Sequence, residues 1–295
     1  MIRTFHHSDF PVERLRDEKR QTVTAVLPTR EVADTVGSIV ETLQGLDGVI
    51  DQILVVDAAS EDGTAEIAER LGVEVRQESE LLPEFGQALG KGDAMWRALA
   101  AARGELIVYL DSDTREFPPH FATGMLGPLI CDHEVRFVKG AFRRPFVAEG
   151  GEERPRDGGR VTELTARPLL SAFYPELAVF SQPLAGEVAA PRWVFERLPF
   201  ATGYAIETSM LLHARDVVGV ESMAQVDLDE RRNYHQPLPQ LGPMAYAVLR
   251  VILERLRREG RLLDDHAPPF QTADGRLVQV EVIERPPYAT LRTRA

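Results

Sequence analysis

The chain has 295 residues, 44% hydrophobic and 27% charged, ordinary proportions for a globular protein with a sizeable core. Its formal net charge of -12 excludes a general nucleic-acid binder, because a phosphate backbone demands a basic face, yet leaves room for a small anion in a local basic pocket. A single cysteine, Cys131, excludes an intramolecular disulfide, and no apolar run approaches the roughly 20 residues of a membrane helix. The opening stretch MIRTFHHSDFPVERLRDEKR has no apolar core of the signal-peptide kind. The expectation is a cytoplasmic protein with small-molecule partners and neither nucleic acid nor membrane.

In chain order, four short runs rich in Val, Ile and Leu come first: TVTAVLPT (22–29), DQILVVDAAS (51–60), GVEVRQES (72–79) and GELIVYLDSD (104–113). Continuous rather than alternating hydrophobicity suits strands covered on both faces. Helical patterns separate them over Glu31–Gln44, Gly63–Leu71 and Lys91–Arg103, with Met95, Trp96, Leu99 and Ala102 at three- and four-residue spacing. This alternation predicts a doubly wound α/β sheet. Beyond it, VRFVKGAFRRPF (135–146) reads as a strand, the Gly- and Pro-rich 147–160 as a loop, 160–172 and 244–258 as helices, and RLVQVEVIERPPY as a late strand.

Ligands of an open α/β sheet bind at the carboxyl ends of its strands. The polar clusters there are PTRE, DAASEDGT and DSDT. Asp111 and Asp113, one residue apart, repel each other unless positive charge sits between them, and a divalent cation shared with a diphosphate would supply it. A lone D-x-D triplet is common; its place at a strand end is what favours the site over a local cap. Lys91 lies between two glycines at a helix start, where backbone approaches a ligand closely and anions are favoured, although the P-loop spacing is absent. The stretch DGGRVTELT repeats the device, with Gly159, Arg160 and Thr162 suited to a phosphorylated or carboxylated acceptor. No Ser-His-Asp arrangement or H-E-x-x-H appears, so hydrolase readings have little support.

With these residues placed, the chain resembles the GT-A glycosyltransferases, and more closely the glucosyl-3-phosphoglycerate and mannosyl-3-phosphoglycerate synthases of actinobacteria. The stretches that carry the resemblance are VLPT, GKGDAMWRALAAARGELIVYLDSD, VKGAFRRPF, GGRVTELTARPLL, QPLAGEVAA, LPFATGYAIE, AQVDL and RPP. The resemblance implies a single GT-A domain over 1–295, Rossmann-like and mainly parallel. It has a nucleotide-sugar-binding half (20–134), an acceptor-binding half (135–243) and a C-terminal helix and tail (244–295). It implies a nucleotide pocket lined by Pro28, Thr29, Glu31, Ser60 and Lys91, with Asp111 and Ser112 near ribose and diphosphate. Asp113 would hold a divalent metal, Mg²⁺ or Mn²⁺. Leu184 and Glu207 would contact the donor sugar, Gly159, Arg160, Val161 and Thr162 would grip 3-phosphoglycerate, and Tyr204 and Arg231 would stand near the reacting centre. A homodimer is implied as well.

The sequence departs from the glucosyl branch in three places. REVAD replaces an Asn-Glu-Glu type run, the loop EERPRDGG is its own, and Asn233 falls where the glucosyl enzymes carry a metal-binding histidine. A loop shift that lets His235 reach the metal is expected, since imidazole is a far better transition-metal ligand than a carboxamide; Asn233 would then face substrate. The implied activity is retaining transfer of a hexose to the 2-hydroxyl of 3-phosphoglycerate, in compatible-solute synthesis. GDP-mannose is favoured as donor because NYHQ departs from the glucosyl branch, and UDP-glucose or GDP-glucose is the alternative. Glu207 is the best-placed carboxylate for a nucleophile, but front-face attack is expected, with the departing diphosphate taking the acceptor proton. A sugar-phosphate nucleotidyltransferase would want a glycine-rich loop that LPTREVAD lacks. A non-catalytic nucleotide-sugar sensor would have no use for both aspartates, Lys91 and the acceptor segment together.

Overall fold

The structure, a computed structural model, describes residues 2–147, 153–154, 159–232, 237–262, 270–271, 277–279 and 281–291. In chain order the elements are β1 (Arg3–His6), α1 (Val12–Glu18), β2 (Val23–Thr29), α2 (Ala33–Gln44), β3 (Gln52–Asp57), α3 (Thr64–Arg70), β4 (Glu74–Gln77), α4 (Lys91–Ala98), β5 (Leu106–Tyr109), α5 (His120–Cys131), β6 (Phe137–Arg143), β7 (Phe146–Val147) and β8 (Glu153–Arg154). There follow α6 (Arg167–Phe173), β9 (Val188–Pro191), α7 (Arg192–Arg197), β10 (Phe200–Ala201), α8 (Ile206–Val218), β11 (Met223–Glu230), α9 (Leu238–Arg258), β12 (Phe270–Gln271), β13 (Leu277–Val278) and β14 (Glu284–Arg285).

Among the described residues, one eight-stranded sheet runs in the order β1-β11-β6-β9-β5-β2-β3-β4. Its strands pair in parallel except β9, which is antiparallel to both neighbours. The four apolar runs form β2, β3, β4 and β5, and β2 is buried along almost its whole length between β3 and β5. Side chains alternate across the sheet, so Val26 joins one apolar cluster while Ala25 and Leu27 join the other, one core on each face. Helix α2 packs Val36, Ile39, Val40 and Leu43 inward at helical spacing. Its first turn is capped from α3's loop, Asp62 accepting from Ala33 N–H at 2.9 Å.

Several elements depart from expectation. Helix α4 ends at Ala98, and the expected helix over 160–172 has a π-helical turn, Thr162–Ala166, before α6. Helix α9 starts at Leu238, ahead of Pro243. Strands β1, β9 and β11 and helices α1, α5, α7 and α8 complete the fold, and periodicity did not reveal them. The expected late strand is broken into two short pieces among the described residues, β13, antiparallel to β12, and β14, antiparallel to β10.

Candidate active site

The inserted strand β9 determines the site. It lies between β5 and β6, and the Gly140 N–H donates to the Glu187 carbonyl at 3.0 Å. Just before it, Gly186 passes beneath Asp111: a Cβ at Gly186 would fall 2.0 Å from Asp111 Oδ1. Only glycine lets the two segments approach so closely. On the other side, β11 bulges after Asp227, and the Arg231 N–H donates to the Arg143 carbonyl at 3.0 Å. The bulge re-aims the chain so that the buried Arg231 side chain enters under the end of β5.

Arg231 is the positive charge between the two aspartates. Its Nη1 donates to Asp111 Oδ2 at 2.7 Å and its Nη2 to Asp113 Oδ1 at 2.6 Å. Nη1 also stands 3.0 Å from Glu187 Oε1 below. The other Asp111 oxygen accepts from Lys91 Nζ at 2.6 Å, and Lys91 reaches Glu207 Oε1 at 3.0 Å. Six residues from five separate parts of the chain thus form one network, with Glu187 as its floor and Asp113, side chain 48% exposed, as its open end.

Electrostatics separates the members. Burial alone would raise the Asp111 carboxyl, but Lys91 and then Arg231 outweigh it and hold it well below the usual carboxylate range. Burial likewise opposes the charges of Lys91 and Arg231. Asp111 and Glu207 keep the lysine protonated, and Glu187, Asp111 and Asp113 keep the guanidinium charged. For Glu187 burial prevails and pushes the carboxyl up despite Arg231. Next to this network, Lys139 donates to the Ala185 carbonyl, and burial pulls its ammonium down to about 8.

On the adjoining rim, Asp57 at the end of β3 accepts from Thr29 Oγ1 at 3.0 Å, Ser60 Oγ at 2.7 Å and Ser60 N–H at 2.9 Å. Ser60 Oγ in turn accepts from the Glu31 N–H at 2.9 Å. Glu31 sits at φ 52, a left-handed conformation, and its carboxylate accepts from Glu61 N–H at 2.9 Å. The Pro28 carbonyl accepts from Ser112 Oγ at 2.6 Å, which ties β2 to the aspartate loop.

The structure therefore joins Lys91, Asp111, Asp113, Glu207 and Arg231 directly, and Pro28, Thr29, Glu31, Ser60 and Ser112 along the neighbouring strand ends. Glu207 opens α8 beside the exposed Tyr204. Gly159, at φ 73, Arg160, Val161 and the buried Thr162 lead into the π-helical turn, where the Gly159 carbonyl accepts from Glu163 N–H at 3.0 Å. Leu184 packs partly buried against the larger core. Asn233 and His235 lie outside the described residues. Sequence reading missed Glu187 and Lys139; each is a charge inside an apolar run, AGEVAA and FVKGAF, and that was the available signal.

A mainly parallel sheet whose strand ends carry paired aspartates, a fixed cationic pair and a helix-borne carboxylate has the build of an enzyme that handles a nucleotide-activated group. Residues 24–188 match glycosyl transferase family 2. Glucosyl-3-phosphoglycerate synthase of Petrotoga mobilis is 38% identical over 98% of this chain and 94% of its own, and that of Mycolicibacterium smegmatis is 39% identical over 93% and 91%. Among solved structures, mannosyl-3-phosphoglycerate synthase from Rubrobacter xylanophilus superposes with a TM-score of 0.90 at 48% identity, covering 98% of this chain and 97% of the other. Glucosyl-3-phosphoglycerate synthase from Mycobacterium tuberculosis, in complex with Mn²⁺, UDP-glucose and phosphoglyceric acid, superposes at 0.88 with 33% identity and 99% coverage of both chains. The chain belongs to glycosyl transferase family 2, among the glucosyl- and mannosyl-3-phosphoglycerate synthases, and it is a glycosyltransferase.

Proposed function

We propose that this enzyme transfers a hexosyl unit, mannose from GDP-mannose in preference to glucose, from a nucleotide diphosphate sugar to the 2-hydroxyl of 3-phosphoglycerate. The observation that carries the reading is the network Lys91–Asp111–Arg231–Asp113, a fixed double cation at the strand ends where a diphosphate would bind. The mannosyl preference is supported by the likeness to the Rubrobacter enzyme. The glucosyl reading, with UDP-glucose or GDP-glucose, is favoured by the names of the curated relatives and is the second reading.

A hard divalent cation, Mg²⁺ or Mn²⁺, fits Asp113. Among the described residues its carboxylate is bound through Oδ1 alone, by Arg231, whereas both oxygens of Asp111 are taken. When bound, the ion would neutralise diphosphate charge as the leaving group departs. The chain's own contribution is electrostatic and positional. Arg231 and Lys91 hold positive charge where the leaving group's negative charge develops, in a site whose dipoles are already oriented. Glu207 accepts hydrogen bonds from sugar hydroxyls; its ion pair with Lys91 favours that anchoring role over nucleophilic attack. The Gly159–Thr162 turn, with the Arg160 guanidinium, binds the acceptor's phosphate and carboxylate and sets its hydroxyl on the face the diphosphate leaves. A homodimer of such subunits is part of the proposal.

The test is a product matrix: GDP-mannose, GDP-glucose and UDP-glucose, each with 3-phosphoglycerate, with and without Mg²⁺ or Mn²⁺. A phosphorylated mannosyl product formed fastest from GDP-mannose is expected. Faster turnover of a glucosyl donor moves the reading to the glucosyl branch, and no product with any donor removes the acceptor assignment.

A further inference from the structure

At the outer edge of the sheet, β1 and β11 bring together three side chains that sugar transfer does not use. His6 pairs in register with Asp227 of β11. The bulge that follows places Asp229 in the left-handed region, at φ 66, with its carboxylate turned back toward β1. His7 Nε2 is 2.7 Å from Asp229 Oδ2, His6 Nε2 is 3.6 Å from Oδ1, and the three ligand atoms all lie within 4.8 Å of one another. Around a tetrahedral ion with bonds of about 2.0–2.1 Å, ligand atoms stand roughly 3.3 Å apart, so small side-chain shifts close the set.

The rings are also supported as ligands. His6 Nδ1 lies 2.7 Å from Ser8 Oγ and accepts from the Ser8 N–H at 3.3 Å, contacts that fix the ring with Nε2 toward Asp229. A metal at Nε2 selects the tautomer with the proton on Nδ1, which the Ser8 hydroxyl can accept in place of the backbone contact. The His7 ring stacks on His120 at 3.9 Å between centroids, and His120 Nε2 is directed to the Leu228 carbonyl at 3.2 Å, so His120 buttresses and does not ligate. Arg143 Nη2, 3.8 Å from Asp229 Oδ1, is the competing cation, and its largely exposed side chain can swing away.

We infer that His6, His7 and Asp229 form a second metal site, separate from Asp113, for a transition ion of the zinc class. Two imidazoles with one carboxylate suit such an ion, whereas Mg²⁺ prefers an all-oxygen shell. The bound ion clamps the edge strand to β11 immediately before Arg231.

The experiment counts zinc on the chelator-washed, full-length protein by equilibrium dialysis and elemental analysis, with Co²⁺ absorption as a second readout. Asp113→Ala and the double variant Asp113→Ala/Asp229→Asn are compared, since asparagine tolerates the left-handed backbone. Asp113→Ala is expected to keep one equivalent of Zn²⁺, and the double variant to bind it at least ~10-fold more weakly, with the Co²⁺ band lost. His6→Ala, at an exposed position, should repeat the loss with an unchanged circular dichroism spectrum. Zinc bound equally well by Asp113→Ala and by the double variant, or less than one equivalent bound by Asp113→Ala at micromolar Zn²⁺, overturns the site. A failure of Asp113 to bind the catalytic metal would leave this comparison intact.

Discussion

Two buried ionic networks flank α4, and they end differently. At the helix start, Lys91 leads into Asp111, Arg231, Glu187 and Asp113, and the chain of charges runs outward to a half-exposed carboxylate. Within the helix, Asp93 and Arg97 are buried completely, and Arg285 from β14 clasps Asp93 with bonds of 2.9 and 2.7 Å. Arg97 spends its donors on the carbonyls of Leu81 and Gly86, each at 2.6 Å, and of Leu82 at 3.2 Å. The second network closes on protein groups and pins the tail and the 78–86 loop to the core. The first leaves Asp113 with coordination capacity at the crevice. A closed buried network serves the fold, and an open one is available for chemistry.

Removing the open end gives the largest expected effect. Asp113→Ala should lower kcat/KM for sugar transfer by ~10³-fold, about 4 kcal/mol of transition-state stabilisation, while Tm stays near the wild-type value. Full activity with ordinary metal dependence would erase the distinction between the networks. Asp93→Ala should do the reverse. It strands Arg285 and Arg97 without their counter-charge, and such losses cost about 3–5 kcal/mol. Urea denaturation reads that loss, and kcat per folded molecule should hold. A midpoint unmoved by the substitution would mean that the closed network does not support the fold. A smaller effect is expected of Arg160→Ala: loss of one charge-assisted contact should raise the acceptor KM ~10-fold or more and leave the donor KM unchanged. Equal effects on both would break the assignment of the Gly159–Thr162 turn to the acceptor.

The same contrast explains what could be read from the sequence. Strands β2, β3 and β5 are covered on both faces, so they appear as unbroken apolar runs, and the polar residues that end them mark the rim. Lys91, Asp111 and Asp113 were legible because each stands at such an end or at a glycine-flanked helix start. Arg231 was placed only by resemblance, because its partner Asp111 is distant in the chain and they meet through a bulge that no local pattern encodes. Strand β9 is short, antiparallel and built of Val, Ala and Pro, with Glu187 at its entry, and lacks the signature of its parallel neighbours. Helix α5 is buried on all sides and contains Gly124, Gly127 and Pro128, so it shows neither amphipathic period nor good helix formers. The role of Asp93 likewise depends on Arg285, far along the chain.

Lys139 supplies the smallest and finest test, because it is a buried cation beside the open network with no carboxylate of its own in hydrogen-bond contact among the described residues. Burial lowers its folded-state value to about 8, below the 10.5 of an ordinary lysine. Between those two values the unfolded chain binds more protons than the folded one, so stability must rise with pH across that window. Below about 8 both states carry the proton, and the full penalty of burying the charge is in force. Lys139→Met, similar in length and uncharged, should therefore be more stable than the wild type at pH 7, and the advantage should shrink steadily from pH 8 to pH 10.5. The comparison is made as the difference in urea midpoint between the two proteins, which cancels the titration of groups that do not interact with Lys139. A difference that stays flat with pH would mean that Lys139 keeps an ordinary affinity for its proton. The charges of Glu187 and Glu207 would then reach further across the floor of the site than the Arg231 and Lys91 pairings allow.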